Sequence, residues 1–194
     1  TTTATSNIGL GANAVDSITT GDYNVGLGDS AGTAITTGTS NTAVGDSSLK
    51  DLSTGSSNTA VGDSALNNTT TASHNTAIGQ KSLFTNTTGD QLTSIGVESL
   101  QANTTGHSSI AVGYRALYSN TTATYNVAVG KRALQANTTG ANNVAVGGDA
   151  LVANTTAADN TAIGREAGKS ITTSAGNVYI GKGAGYGTTT SYGS

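Results

Sequence analysis

The chain has 194 residues, no Pro, Cys, Met or Trp, and a formal net charge of −3. Leu, Ile, Val and Phe together number 33, whereas Thr, Gly and Asn number 36, 27 and 18. This excludes a disulfide framework, a thiolate metal site, a cysteine nucleophile and an ordinary mixed α/β enzyme core, and eight basic against eleven acidic residues argue against a nucleic-acid partner. No charged segment leads into an apolar run, and no apolar stretch is long enough to span a bilayer. The absence of Met marks residue 1 as something other than a translation start.

A composition this poor in large apolar residues needs a repetitive fold. Gly11, Gly28, Gly45, Gly62, Gly79, Gly96, Gly113, Gly130, Gly147, Gly164 and Gly181 follow one another every 17 residues without insertion or deletion. Eleven units fill the chain, each resembling the stretch from Asn41 to Ser57. Such a period is the mark of a solenoid, whose coils bury their apolar side only by stacking. The unit is too short for two helices, and Gly, Thr and Asn are poor helix formers. Two or three short strands per coil, joined by Gly turns, fit it. The predicted fold is all-β: a parallel β-solenoid (β-roll or β-helix) of eleven 17-residue coils, covering residues 1–194 as a single uncapped array.

Taken in chain order, the first strand of the unit carries an aliphatic residue at the fourth position of every copy (Leu10, Leu27, Val44, Val61 and onward to Ile180). The second position mixes Ile, Val and Thr, and period-2 alternation places both inside. The small third column, Gly9 and Gly26 followed by Ala43 and its equivalents, then faces outward. After the turn come an Ala or Ser column and a mostly Leu column, Leu49 through Leu151, with Gly32, Gly168 and Gly185 near the ends. The last strand opens with Ile18, Ile35, Leu52 and Thr69, then Asn86, Asn103, Asn120, Asn137 and Asn154, then Ile171. Exchange with Ile and Leu predicts that these five Asn point inward and form an amide ladder between coils. Two residues on, Thr occupies every unit to Thr190, including Thr88, Thr105, Thr122 and Thr139, and alternation places it in the same internal ladder. The intervening column, ten Thr and Ser53, is predicted to face out.

The Asn-x-Ala-[Val/Ile]-Gly-x-x-Ala motif, as in Asn126-Val127-Ala128-Val129-Gly130, resembles the head repeats of trimeric autotransporter adhesins (haemagglutinin-type repeats), and similar repeats occur in phage tail fibres. The resemblance covers the strand-and-Gly half of all eleven units. It implies a left-handed parallel β-roll, commonly trimeric, displayed outside the cell and binding surfaces or matrix. The units of that family are shorter, with the Asn-Thr-Thr segment as the addition here. The family has no catalytic residues to carry over.

Candidate chemistry is sparse. His74 and His107 fall at turns without a recurrent carboxylate partner. Asp29, Asp46 and Asp63 share one column in consecutive coils, about 4.8 Å apart, a weak candidate for a cation such as Ca²⁺. Asn67, Asn68 and the five ladder Asn satisfy Asn-x-[Ser/Thr], but burial of the ladder predicts that most are inaccessible to glycosylation. Tyr114, Tyr118 and Tyr125 cluster around one coil, and Tyr179, Tyr186 and Tyr192 around the last, as candidate surface contacts. Residues 1–80 carry six Asp and one Lys (−5), and residues 81–194 carry seven basic and five acidic residues (+2), a polarity suited to head-to-tail stacking.

The expected function is non-catalytic: an extracellular or cell-surface structural or adhesive fibre segment, without cofactor, that assembles with copies of itself as a trimer or filament and binds host-surface or matrix molecules or glycans. A phage tail-fibre shaft on a virion is one alternative. An ice-binding protein using the outward Thr column is another. A polysaccharide-cleaving tail spike needs paired carboxylates in a groove, which no column supplies.

Overall fold

The computed structural model describes residues 4–187, so Thr189, Thr190 and Tyr192 lie outside the described residues. Among the described residues there is no helix. Three-residue strands recur from β1 (Ile8–Leu10), β2 (Val25–Leu27) and β3 (Thr42–Val44) through to β10 (Thr161–Ile163) and β11 (Val178–Ile180). They form one 11-stranded sheet in chain order. All pairs are parallel and in register at the repeat spacing, as with Thr42 opposite Thr59 and Ala43 opposite Ala60. The chain is a parallel β-solenoid.

Each coil carries one strand, not two or three. The remaining sides are turns whose backbone groups still bond to the coils above and below. The N–H groups of Leu49, Asp51 and Ser53 donate to the carbonyls of Ala65, Asn67 and Thr70 at 3.0, 3.0 and 2.8 Å. Those of Gly45 and Ser47 donate the other way, to Leu27 and Asp29, at 2.8 and 2.9 Å. Extended geometry is interrupted because three residues in a coil adopt the left-handed region, exemplified by Ser47 (φ 53°), Leu49 (φ 49°) and Ser57 (φ 60°).

The periodic Gly is required on two counts. Gly45 has φ 123°, a region closed to side chains. A Cβ there would also stand 2.7 Å from the carbonyl carbon and oxygen of Gly62, so each Gly lets the next coil approach to backbone contact. This explains the unbroken column and the absence of insertions.

The direction of the strand side chains is the reverse of the alternation argument. The middle residue faces the interior: Ala43, Ala60, Ala77, Ala111, Ala128, Ala145 and Ala162 are fully buried. The flanking second and fourth positions lie outside, half-buried or exposed, with Ile78 at 39% and Ile163 at 42%. Period 2 holds but its phase is opposite, which inverts every side chain. The cause is steric. Opposite the strand runs the eighth-position column of Ala31, Ser48, Ala65 and their equivalents, also buried, and only small residues fit between two walls this close. At Ser94 the inward hydroxyl instead bonds Ser82 and Ser99 across the tube, at 2.8 and 2.5 Å.

The interior is filled from the ninth position. Leu49, Leu66, Leu83, Leu100, Leu117, Leu134 and Leu151 are fully buried, all with φ between 47° and 53°. A left-handed residue costs about 1–2 kcal/mol, and burying Leu contributes about 1.5–3 kcal/mol, so burial wins. Gly32 and Gly168 hold the same conformation (φ 63° and 59°) where other side chains already occupy the space, Ile35 and Val15 beside the first, Leu151 and Tyr179 beside the second. Tyr179 thus faces inward and packs against the core, replacing the inward Ala, rather than serving as a surface contact.

Two glycines separate these effects. Gly96→Ala would place Cβ 2.6 Å from the Gly113 carbonyl oxygen at φ 135° and is expected to destabilise the array by at least ~2 kcal/mol. Gly148→Ala, with no atom within 4 Å of its Cβ, should stay within ~0.5 kcal/mol. Chemical denaturation followed by far-UV circular dichroism measures both.

Candidate functional site

The five Asn of the last side of the coil form the ladder their exchange with Ile and Leu predicts. All are fully buried. The Nδ2 groups of Asn103, Asn120, Asn137 and Asn154 donate to Oδ1 of the Asn one coil earlier at 2.8, 3.0, 3.1 and 2.9 Å. The Asn-x-[Ser/Thr] sites on this column are therefore inaccessible, and Asn67, half-buried, spends Nδ2 on the Ser47 carbonyl. Thr88, Thr105, Thr122 and Thr139 are not part of that ladder. They are exposed, because the chain turns after the Asn and alternation does not carry through a bend. The Thr column before them is only partly exposed, and its hydroxyls donate to the next coil, Thr36 to Ser53, Thr104 to Thr121 and Thr138 to Thr155.

A second buried ladder escaped the column reading although its Asn opens nearly every unit. Asn41 and Asn58 take the Oδ1 of Asn24 and Asn41 with both backbone N–H and Nδ2, at 3.0–3.1 Å. Their Nδ2 groups also donate to the carbonyls of Gly55 and Ala72 at 2.9 Å. In the middle coils the ladders meet on shared carbonyls: Gly140 accepts from Asn126 and Asn137, both at 2.9 Å. Four side-chain hydrogen bonds then join successive coils, as Asn143 N–H and Nδ2 to Asn126 Oδ1, Asn126 Nδ2 to the Gly140 carbonyl and Asn137 Nδ2 to Asn120 Oδ1, and a shift of one coil against the next would break them together.

The charged residues lie on the turns. Asp29, Asp46 and Asp63 are exposed, and no group of three His, Cys, Asp or Glu among the described residues converges to hold a metal ion. Asp29 accepts from the Ala12 N–H and Asp46 from the Ser47 hydroxyl. Asp63 takes hydrogen bonds from Gln80 and Ser64, which hold its carboxyl below the usual range. In the next column Arg115 bonds Glu98 at 2.5 Å and Arg132 grips Asp149 through two nitrogens at 2.7 and 3.0 Å. Those bonds raise both guanidinium pKa values. Lys169 lowers the Glu166 carboxyl by its hydrogen bond at 3.2 Å. A lowered carboxyl contributes its stability above the usual carboxylate range and loses it as pH falls through the lowered value.

Tyr114 and Tyr118 flank the Arg115 guanidinium, each ring centre 5.1 Å away. Tyr186 is exposed beneath the Lys169 ammonium at 5.6 Å. Tyr125 is 58% exposed and meets His107 edge-on at 5.4 Å. His74 is solvated at its turn, and the two His do not meet a shared ligand set. His107 lines a shallow depression of about 220 Å³ with Thr88, Asp90, Gln91 and Thr105.

The strand face is the largest feature that side-chain alternation misplaced. Its fourth-position column is aliphatic in all eleven units and lies on the outside, from Leu10 (66% exposed) through Ile95 (37%) to Ile180 (69%). Beside it runs the second-position column of Thr, Val and Ile. The signal was present in the sequence: the inward third column tolerates Gly, Ala and Ser, with one Tyr, whereas the second exchanges Thr with Val and Ile as a surface column does.

No family model, curated protein or solved structure matches the chain.

The Asn ladder gives a non-additive expectation. Asn120→Ala strips a donor from the Asn103 amide oxygen and an acceptor from Asn137, and should cost about 2–3 kcal/mol. Converting all five Asn to Leu removes both sides of every Asn–Asn bond and leaves only the backbone carbonyls that each Nδ2 also served, so the total should fall below five times the single cost. Denaturation midpoints of the single and fivefold variants decide this.

Proposed function

We propose that the chain is a non-catalytic structural or adhesive segment of an extracellular fibre, assembling by packing its strand face against the strand faces of other copies. The carrying observation is the unbroken aliphatic column on the outside of the sheet. A surface free to vary admits polar residues in some of eleven copies, as the second column does with Thr; the fourth never does. Three residues by ten coil spacings make a band of roughly 500 Å², aliphatic along the fourth column and mixed with Thr along the second. At ~25 cal/mol per Å² its burial is worth at most ~12 kcal/mol, much of it offset by lost rotational and translational freedom. A standard interface takes ~800 Å² from each partner, so the bordering turn columns, Asp29 to Lys182 on one side and Tyr23 to Asp159 on the other, join the contact. The rigid hydrogen-bonded rod supplies mechanical continuity, and each coil adds about 4.8 Å of length.

A parallel trimer is the arrangement that the resemblance to adhesin-head and tail-fibre repeats implies, and this reading covers a cell-surface or virion fibre alike. Head-to-tail stacking is the other self-assembly, supported by the acidic first and basic second parts of the chain.

A second reading, ice binding, gains from the exposed Thr88 column beside the half-exposed Thr87 column, two Thr ranks instead of one. It loses because the Thr87 rank donates its hydroxyls to the next coil, as Thr87 does to Thr104 at 3.0 Å. A thermal hysteresis measurement is expected to show none; a clear freezing gap would make the Thr face the functional one.

Sedimentation and light scattering should find discrete oligomers of the intact chain. Ile95→Lys with Val129→Lys should weaken association on the order of 100-fold, with the far-UV spectrum unchanged, because each ammonium would be buried unpaired. A stably monomeric wild-type chain at high concentration overturns the proposal.

A further inference from the structure

The turn that precedes the strand varies from coil to coil: Ser56, Ser73, Thr124 and Ala141 share one column with Asp22, Asp90 and His107, and Ser40, Ser57 and Ser108 share the next with Tyr23, His74, Gln91 and Tyr125. In two consecutive coils this variation brings three larger polar side chains together, Asp90, Gln91 and His107. These larger side chains wall off the depression of about 220 Å³ whose floor includes Thr88 and Thr105.

Its polar atoms are held in place by the protein yet not consumed by it. Asp90 fixes its carboxylate by accepting the Ser73 N–H at Oδ1, 2.6 Å, which leaves Oδ2 as an acceptor. Gln91 accepts the Ser108 hydroxyl at Oε1, 3.1 Å, which leaves the amide Nε2 as a donor. With its proton so placed, Ser108 Oγ accepts from His107 Nδ1 at 3.2 Å, leaving Nε2 as a second acceptor. The Tyr125 ring also contacts the imidazole, 5.4 Å away and at 87° to it. Thr88 and Thr105 add two hydroxyls one coil apart, about 4.8 Å.

We infer that this depression is a binding site for one neutral hexopyranose residue. A carboxylate beside an amide matches a vicinal pair of sugar hydroxyls, one donating and one accepting, and a fixed aromatic ring offers a face to sugar C–H groups. No Lys or Arg lines the depression, so an acidic sugar, sulfate or phosphate meets only the Asp90 charge. A divalent cation would find one carboxylate where it needs several oxygen ligands. The site is open, so affinity for a single residue is in the millimolar range, and useful strength comes from copies held side by side. The inference rests on the adhesive reading for its biological sense, but the pocket lies within one chain, so binding and assembly are measured separately.

The test is nuclear magnetic resonance of the intact isotopically labelled protein, titrated with methyl hexopyranosides differing in hydroxyl configuration and with oligosaccharides ending in them. The expected result is a saturable shift of the His107 ring and Gln91 side-chain amide signals with one configuration. The free glycoside and the oligosaccharide should act alike. Asp90→Asn, which keeps the bond to Ser73, should weaken binding at least ~10-fold, and Asp159→Asn should not. No saturable shift with any glycoside overturns the inference, as does wild-type binding by Asp90→Asn, or a response confined to the oligosaccharide, to a sialoside or to Ca²⁺. Sugar binding that persists in the strand-face variants keeps the pocket whatever becomes of assembly; assembly without sugar binding removes the pocket and leaves the fibre.

Discussion

The structure depends on backbone hydrogen bonding between residues one coil apart. Three residues per coil form a regular ladder, yet bonds between coils continue around the turns, from Leu49 to Ala65 and Ser53 to Thr70. Every coil must therefore have the same length. A single inserted residue would break the bonds on one side of the tube and shift the strand out of register. The Gly column enforces the spacing locally, because at Gly45 and its equivalents the next coil's peptide lies where a Cβ would be.

From that spacing follows a narrow tube, and from the narrow tube the division of labour among side chains. The strand wall and the eighth-position wall admit only small residues between them, so the wider part of the interior has to be filled by Leu from a left-handed backbone position. The strain at those positions is tolerated because burial outweighs it. Most of the polar residues inside are Asn, whose amide both donates and accepts and so can repeat along the axis. Two such ladders, tied in places to one carbonyl, leave little freedom for a coil to rotate against its neighbour. Thr69, between Leu52 and Asn86, marks where the interior changes from apolar to amide; its hydroxyl caps the change by donating to the Asn86 carbonyl at 3.0 Å.

Because the interior accepts only small residues from the strand, the β-branched residues that favour strand geometry have only the outside to occupy. The apolar face is thus a consequence of the tube's width as well as the basis for packing copies together. The charged residues sit on the turns, some of them paired within the chain as Arg132 is with Asp149, so the strand face itself stays free of charge. The turn on the other border carries the chemically varied residues. Variation there costs the fold little, since those side chains point away from the tube.

Periodicity along the chain determined the fold class by itself: a 17-residue repeat with Gly at one position and neither Pro nor long apolar runs leaves few options besides a parallel solenoid. Exchange of Asn with Ile and Leu at one position likewise located Asn86 to Asn154 inside, because only an interior site trades an amide for a branched aliphatic. What the linear pattern left open was the phase. Alternation says that Thr42 and Val44 share a face and Ala43 takes the other, but which face is the interior depends on how far away the opposite wall stands, a distance that exists only after the coil closes. The same holds for Thr88 and Thr105, whose outward direction is set by a bend, and for Tyr179, drawn inside by the space that Gly168 and Gly185 leave. Sequence periodicity encodes which residues are equivalent; closure of the tube, through steric exclusion between its walls, decides which of the equivalents are core and which are surface.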